Sequence, residues 1–333
     1  MECTSMRGRF WVVAAAGALT SAAILGQSSS GAVVAVASGR TMSLYDSSGA
    51  TVRTIDLKQP VAGFAFSPDR SHLVIVSPDT EHGGALILID LKRGSRRRLT
   101  RSHFAFSHLD KGETEVYDSP AFSPDGRRVA FAVHGNVLSD GNDAFENSGP
   151  IALVNLDTGE KLVLNSTNQI DGNGPCSESD LQWSSDGKWI LFNCEDGAFL
   201  TDASGKTLRN LKIAEDGEGT SAAGWVGTKC ILYVQTPEIQ GSIDYAHETL
   251  KILNLNTLRS SDASMLNAFR NQGGGLLRVS SDATIRLLWP KLVVATRKRK
   301  WEFDLKQRDR EPQTISAQLL TGWDPSLIPA ECR

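Results

Sequence analysis

The sequence predicts an all-β protein: a six-bladed β-propeller of four-stranded antiparallel blades, closed by pairing of its N- and C-terminal strands. Three observations carry this expectation. A short phrase built from an aromatic residue, Ser, Pro or Ser, Asp and Gly recurs along the chain, each time followed by an apolar run. The 30 Gly and 12 Pro are spread over many short segments, as a chain of strands and tight turns requires. Finally, the two ends each hold an incomplete unit, and together they make one blade.

The first thirty residues fall outside that pattern. Arg7 and Arg9 precede an uncharged apolar stretch from Phe10 to Leu25, and residues 26–32 are small or polar. This is the layout of a cleaved export signal; the stretch is short for spanning ~30 Å of hydrocarbon, and the alternative is an uncleaved anchor. No Cys follows it for lipid attachment. Residues 1–30 are therefore assigned to the signal, 33–325 to the propeller and 326–333 to a C-terminal tail, with a periplasmic or secreted location.

Residues 33–37, 42–45 and 52–55 read as three strands with no preceding phrase. Ala65-Phe66-Ser67-Pro68-Asp69 then leads through Arg70 into the run 73–76, and strands at 85–91 and 97–100 complete that unit. Ala121-Phe122-Ser123-Pro124-Asp125-Gly126 leads into 129–133, followed by 151–156 and 161–164. Leu181-Gln182-Trp183-Ser184-Ser185-Asp186-Gly187 leads into 189–192, followed by 198–201 and 207–209. Across these phrases Pro, replaced by Ser185 in the third, presets φ for the turn, Asp or Ser accepts local backbone hydrogen bonds, and Gly, replaced by Arg70 in the first, takes the positive φ that closes it. Aromatic and β-branched residues on either side fill the space between stacked sheets.

Weaker copies follow. Residues 224–229 lead into 230–234 and 250–255, and residues 275–316 hold one more unit whose first turn is either Val279-Ser280-Ser281-Asp282 or Trp289-Pro290-Lys291. Residues 319–325, with Trp323-Asp324-Pro325, read as the innermost strand missing from the first unit. Closing the ring in this way removes the open edge that a row of sheets would expose. Six units of about 50 residues each account for the chain.

The Phe-Ser-Pro-Asp-Gly phrase with its following strand resembles the repeat of TolB-type propellers, also called WD40-like or PD40 repeats, from about Val33 to Pro325. TolB itself carries a further N-terminal domain for which residues 30–33 leave no room. The peptidases that share the repeat need a following hydrolase domain. The resemblance implies an exported propeller that binds other macromolecules, and it transfers no catalytic residue.

Composition and motifs support that reading. A formal charge of −3, from 35 Lys+Arg against 38 Asp+Glu, lacks the basic footprint of a nucleic-acid binder. There is no Gly-x-Ser-x-Gly elbow and no phosphate-cradling GxxxxGK[ST] loop. The cysteine spacings include no CxxC and support no zinc site. Export would allow disulfides, and the hairpin turning at 185–187 brings Cys176 within reach of Cys194. Cys230 and Cys332 offer no local argument for pairing.

Long polar connections at 101–119, 134–150, 165–180 and 237–248 gather on one face of a propeller, where recognition concentrates. Its candidate residues are His103, His108, His134, Asp140, Asn142, Asp143, Glu146 and Asp171. Clustered carboxylates and amides there could hold Ca²⁺, but their spacing is not that of a calcium loop, and solvated turn chemistry is the simpler reading. No metal and no other cofactor is expected. Arg96-Arg97-Arg98 with Arg101, and Arg297 to Lys300, read as charge that blunts outer strand edges. Trp183, Trp225 and Trp323 read as core packing.

The expectation is a monomeric, non-enzymatic protein-interaction or scaffold module of the cell envelope, touching membrane only through an uncleaved N-terminal segment. The alternatives are a propeller enzyme of the metal-dependent lactonase or lyase type with chemistry at the channel mouth, or the accessory propeller of a peptidase system.

Overall fold

Six antiparallel sheets form the blades of a β-propeller. The computed structural model describes residues 31–77, 84–100, 113–137, 146–164, 179–194, 197–211, 213, 218–239, 242–243, 249–263, 277–288, 291–304 and 315–333, with the backbone alone at some strand ends. Blade 1 contains β1 (Ala32–Ser38), β2 (Thr41–Asp46) and β3 (Thr51–Asp56). Blade 2 is β4 (Gly63–Phe66), β5 (His72–Ser77), β6 (Ala85–Asp90) and β7 (Arg96–Arg98). Blade 3 is β8 (Glu113–Phe122), β9 (Arg128–Val137), β10 (Glu146–Asn155) and β11 (Lys161–Val163). Blade 4 is β12 (Ser179–Trp183), β13 (Trp189–Cys194), β14 (Gly197–Asp202) and β15 (Leu208–Asn210). Blade 5 is β16 (Glu218–Val226), β17 (Cys230–Ile239), the small β18 (Ser242–Ile243), β19 (Thr249–Asn254) and β20 (Arg259–Asp262). Blade 6 is β21 (Leu277–Val279), β22 (Ala283–Leu288), β23 (Lys291–Thr296) and β24 (Lys300–Asp304), and β25 (Ile315–Leu319) returns to blade 1.

The recurring phrase forms the turn after the innermost strand. In blade 2 the Ser67 hydroxyl donates to Asp69 Oδ1 at 2.6 Å and accepts from the His72 amide at 2.9 Å. The same pair of bonds recurs at Ser123 with Asp125 and Arg128, and at Ser184 with Asp186 and Trp189. The Ser67 hydroxyl and the Ser71 groups hold the Asp69 carboxyl well down, to about 2. Gly126 and Gly187 supply φ values of +70° and +69° to close these turns. The turns also stack around the ring: the Cβ position of Gly126 is 3.6 Å from Pro68 of the preceding turn and that of Gly187 is 3.6 Å from Pro124, ordinary contact distances. One level inward, the indole of Trp183 donates to the Ala121 carbonyl and that of Trp225 to the Gln182 carbonyl, so the innermost strands are tied from blade to blade.

Ring closure corrects one expectation. The innermost strand of blade 1 is β25, which pairs with β1 from Val34↔Leu319 to Ser38↔Ile315, upstream of the predicted 319–325. Trp323-Asp324-Pro325 copies the composition of the phrase, but Asp324 caps a 3-10 turn at Pro325–Leu327, accepting from the Ser326 amide. The first turn of blade 6 is at 280–282, the earlier of the two sequence alternatives.

Arg70 stands where the sibling turns have Gly, with φ +57°, and its guanidinium fastens the closure. Nη1 donates to the Ala32 carbonyl at 3.0 Å and Nη2 to the Leu320 carbonyl at 2.6 Å, so one side chain ties both ends of the ring. Arg70→Ala keeps the strained backbone and loses both bonds. It is expected to cost about 2–3 kcal/mol, read as a lower urea midpoint; an unchanged midpoint would show that the β1–β25 ladder closes the ring unaided.

Arg96–Arg98 form the exposed outer edge strand β7, where the sequence placed them, and the basic runs also reach other blades. Arg97 Nη2 donates to the Leu156 carbonyl of blade 3, and Arg96 to the Asp56 and Leu57 carbonyls of blade 1. Arg53 and Arg209 make the same kind of reach, to Leu91 and Leu255 of the next blade. Arg299 donates to the Gly49 carbonyl of blade 1, while Arg297 pairs with Asp282 at 3.0 Å. Planar forked donors suit carbonyls at the ends of neighbouring sheets, so Arg53, Arg96, Arg97, Arg209 and Arg299 fasten blades together, while Arg297 stays within blade 6.

Blade-to-blade cores follow the same ring. Clusters of buried side chains drawn from both partners fill the seams between blades 1 and 2, 2 and 3, 3 and 4, 4 and 5, and 6 and 1. A disulfide joins Cys230 at the start of β17 to Cys332, 102 residues away, with both residues buried. The pairing proposed for Cys176 and Cys194 lies outside the described residues.

Candidate functional site

Antiparallel order places the first-to-second and third-to-fourth turns of every blade on one face, the turn face. The second-to-third and blade-to-blade connections lie on the other, the loop face. The loop face is uneven. In blade 3 the ladder runs on to Glu113↔Val137 and Glu146↔Asn136, and in blade 5 to Glu218↔Pro237, where β18 adds Glu238↔Ile243. Blade 4, between them, ends at Cys194↔Gly197. Aligned on their turns, the outer two blades continue about four residues further, which at the rise of a strand is about 13 Å. Among the described residues, two β-ribbons thus stand on either side of a blade 4 whose strands end lower.

Parts of the predicted loops are therefore strand. Residues 113–118, 134–137, 146–148, 179 and 237–239 are paired, with bulges at 119–120, 149–150 and 180–181, because Gly, Asn and Ser at these ends still offer backbone N–H and C=O groups to a ladder. His134, expected in a surface loop, is buried on β9, opposite Val116 on one side and Ser148 on the other. Glu146 opens β10 opposite Asn136, so these two candidates share one ribbon, two rungs apart. His103, His108, Asp140, Asn142, Asp143 and Asp171 lie outside the described residues.

At the foot of the blade 3 ribbon is a polar knot that sequence reading missed. The Tyr117 hydroxyl donates to Glu115 Oε2 at 2.7 Å, and both residues are buried. The Glu115 carbonyl accepts from the Gly84 amide at 2.8 Å. Buried Thr100 accepts from the Leu86 amide through its hydroxyl and from Arg98 Nε through its carbonyl. Burial, and then the Glu115 carboxylate, push the Tyr117 phenol far up, so it stays a neutral donor. Tyr117 also meets Phe131 edge-on at 5.5 Å. The knot joins Gly84, Thr100 and Glu115, which adjoin the connections 78–83 and 101–112, and so roots two neighbouring connections at one buried point. Its signal was the Glu-x-Tyr spacing, which puts both side chains on one side of a strand. Tyr117→Phe is expected to cost about 1–3 kcal/mol and to speed amide exchange at Gly84; slow exchange in the variant would place the anchorage elsewhere.

Charge on this face is one-sided. In the segments that form or connect its strand ends around blades 3 to 5 (101–118, 134–148, 165–180, 193–197, 212–222 and 235–249), Arg101, Lys111 and Lys212 are the only Lys or Arg, against Asp or Glu in every segment. Among the described residues, no group of three or more His, Cys, Asp or Glu is placed to hold a metal ion. No helix of the described residues is long and apolar enough to cross a membrane.

No known protein family and no curated protein matches the sequence. Solved structures do match the fold. The chain is similar to TolB from Acinetobacter baumannii, with 16% identity and a TM-score of 0.50, over 86% of this chain and 66% of that one. It is also similar to an oligogalacturonate lyase in complex with manganese, with 15% identity and a TM-score of 0.52, over 81% of this chain and 72% of that one. The chain thus spans slightly less than two-thirds of the length of that TolB, and what it shares with both is the propeller fold.

Proposed function

We propose that this protein is an exported, non-enzymatic interaction module of the cell envelope that acts as a monomer and grips a protein partner on its loop face, over blade 4. The observation that carries the reading is the pair of ribbons standing on either side of that low blade. Recognition needs a rigid, concave, irregular surface, and these ribbons are held by backbone ladders, each resuming beyond a single bulge, rather than by isolated loops. The acidic bias of the segments there favours a cationic partner surface, which gives orientation and a fast encounter. The fold shared with TolB is consistent with this use. Export rests on the layout of residues 1–30.

The fold shared with a manganese-bound lyase keeps a second reading in view, a metal-dependent enzyme working at the channel mouth. Elemental analysis of the purified protein separates the two, because stoichiometric metal would favour the enzyme.

The binding reading is tested by capture from native envelope extract with wild type, with Glu113→Lys, Glu146→Lys, Glu218→Lys and Glu238→Lys combined, and with a turn-face control, Lys92→Glu with Arg93→Glu. The loop-face variant is expected to lose its partner, the control to keep it, and wild-type binding to weaken at least tenfold as salt rises from about 0.05 to about 0.5 M. Equal retention by all three proteins would reject the loop face as the binding surface.

A further inference from the structure

One seam of the ring breaks the pattern of the others. Around Cys230 the buried cluster consists of Val226, Leu232, Ile252 and Ala263 of blade 5 together with Cys332, and the residues packed against it include Trp323, Leu327 and Ile328. Among the described residues, the apolar side chains packed on this side of blade 5 are those of the tail, where each other seam is filled by the next blade. After leaving β25 the tail crosses the first turn of blade 6, where the Gly322 carbonyl accepts from the Ser281 amide. It ends on blade 5, where the Cys332 carbonyl accepts from the Thr228 amide at 3.0 Å and the Glu331 carbonyl from Asn254 Nδ2. Arg333 folds back onto the Ile328 and Pro325 carbonyls, fixing the tail's own shape.

We propose that residues 320–333 are a wedge that closes the seam between blades 5 and 6, and that the Cys230–Cys332 disulfide is an oxidation-dependent latch holding it. The ring is then shut twice: by hydrogen bonds between β1 and β25, and by a covalent bond two blades away. Latching forms one disulfide from the two cysteines. In that step one cysteine thiolate attacks an acceptor disulfide of the thiol–disulfide exchange class, releasing one thiolate of the acceptor, and the second cysteine then attacks the mixed disulfide. Overall the protein loses two protons and two electrons, one S–S bond forms in it, and the acceptor leaves as a dithiol. Both sulfurs become buried, so reduction of the closed form requires the wedge to lift first.

The test is hydrogen exchange followed by mass spectrometry on the full chain, comparing wild type, Cys230→Ser with Cys332→Ser, and Ile328→Ala with the disulfide intact. The double variant is expected to exchange at least tenfold faster in peptides covering 320–333, 230–234 and 249–262, with blades 2 and 3 unchanged. Ile328→Ala is expected to loosen the same peptides by a smaller factor, and it carries the test should the double variant fail to fold. Faster exchange spread evenly over all blades would reduce the bond to a general chain constraint and overturn the wedge, as would unchanged protection of 320–333.

Discussion

Phe131→Ala is expected to lower stability by about 3–5 kcal/mol, the usual cost of emptying a large aromatic site in a packed interior. Phe131 is fully buried at the centre of the seam between blades 2 and 3, among Val74, Leu86, Val129 and Val154, with the edge of Tyr117 against its ring. Sheets standing on both sides limit relaxation into the hole. The loss should appear as a shift of the urea midpoint at constant slope and as a fall in melting temperature on the order of 10 °C. Leu162→Ala is the control: that side chain is 42% exposed on the outer strand of blade 3 and should change stability by under about 0.5 kcal/mol. A loss below about 1 kcal/mol at Phe131 would mean that this seam is loosely packed.

The second large effect is expected at Gly227, in the first turn of blade 5. Its φ is +62°, and an added Cβ would fall inside the van der Waals envelope of the Cys332 carbonyl group, with the Ile328 side chain close by. Backbone lies on both sides of that contact, so neither can rotate away. Gly227→Ala should push the last residues of the chain off blade 5 and keep Cys230 from reaching Cys332. The cost combines about 1–2 kcal/mol for a side chain in the left-handed region with the loss of a cross-link closing a loop of this length, about 3–5 kcal/mol. Thiol titration of the unreduced, denatured variant should find two more free thiols than in wild type. Finding none would contradict the crowding at this site.

The parts of the fold that could be read in the sequence are those whose chemistry is local. The turns at Ser67, Ser123 and Ser184 close within five residues, and each names itself through Asp together with Pro, Gly or both. Arg70 in the Gly position of the first is an exception with a visible reason, because the strain there is offset by bonds to both chain ends. What escaped prediction depends on distant partners. The closing strand was placed at 319–325 because Trp323-Asp324-Pro325 imitates a turn phrase, whereas the choice of 315–319 is made by β1, at the far end of the chain. The Cys230–Cys332 bond has the same origin: no spacing rule reaches across 102 residues. The ribbons of blades 3 and 5 were read as loops because their ends are rich in Gly, Asn and Ser, residues that mark turns by composition yet pair well enough when a neighbouring strand is already in place. Of the candidate site, His134 and Glu146 were found with the wrong local structure, and the Glu115–Tyr117 knot was hidden because β8 begins seven residues before Pro120.

Residue 31 enters, and the tail departs, where Arg70 grips the Ala32 and Leu320 carbonyls, on the side of the disc away from the ribbons. A linker joined at that point would hold the molecule like a dish on a stalk, with its loop face turned outward. Immobilising the protein through such a linker on a sensor chip should therefore leave that surface unobstructed, whereas coupling through the ribbons would bury it.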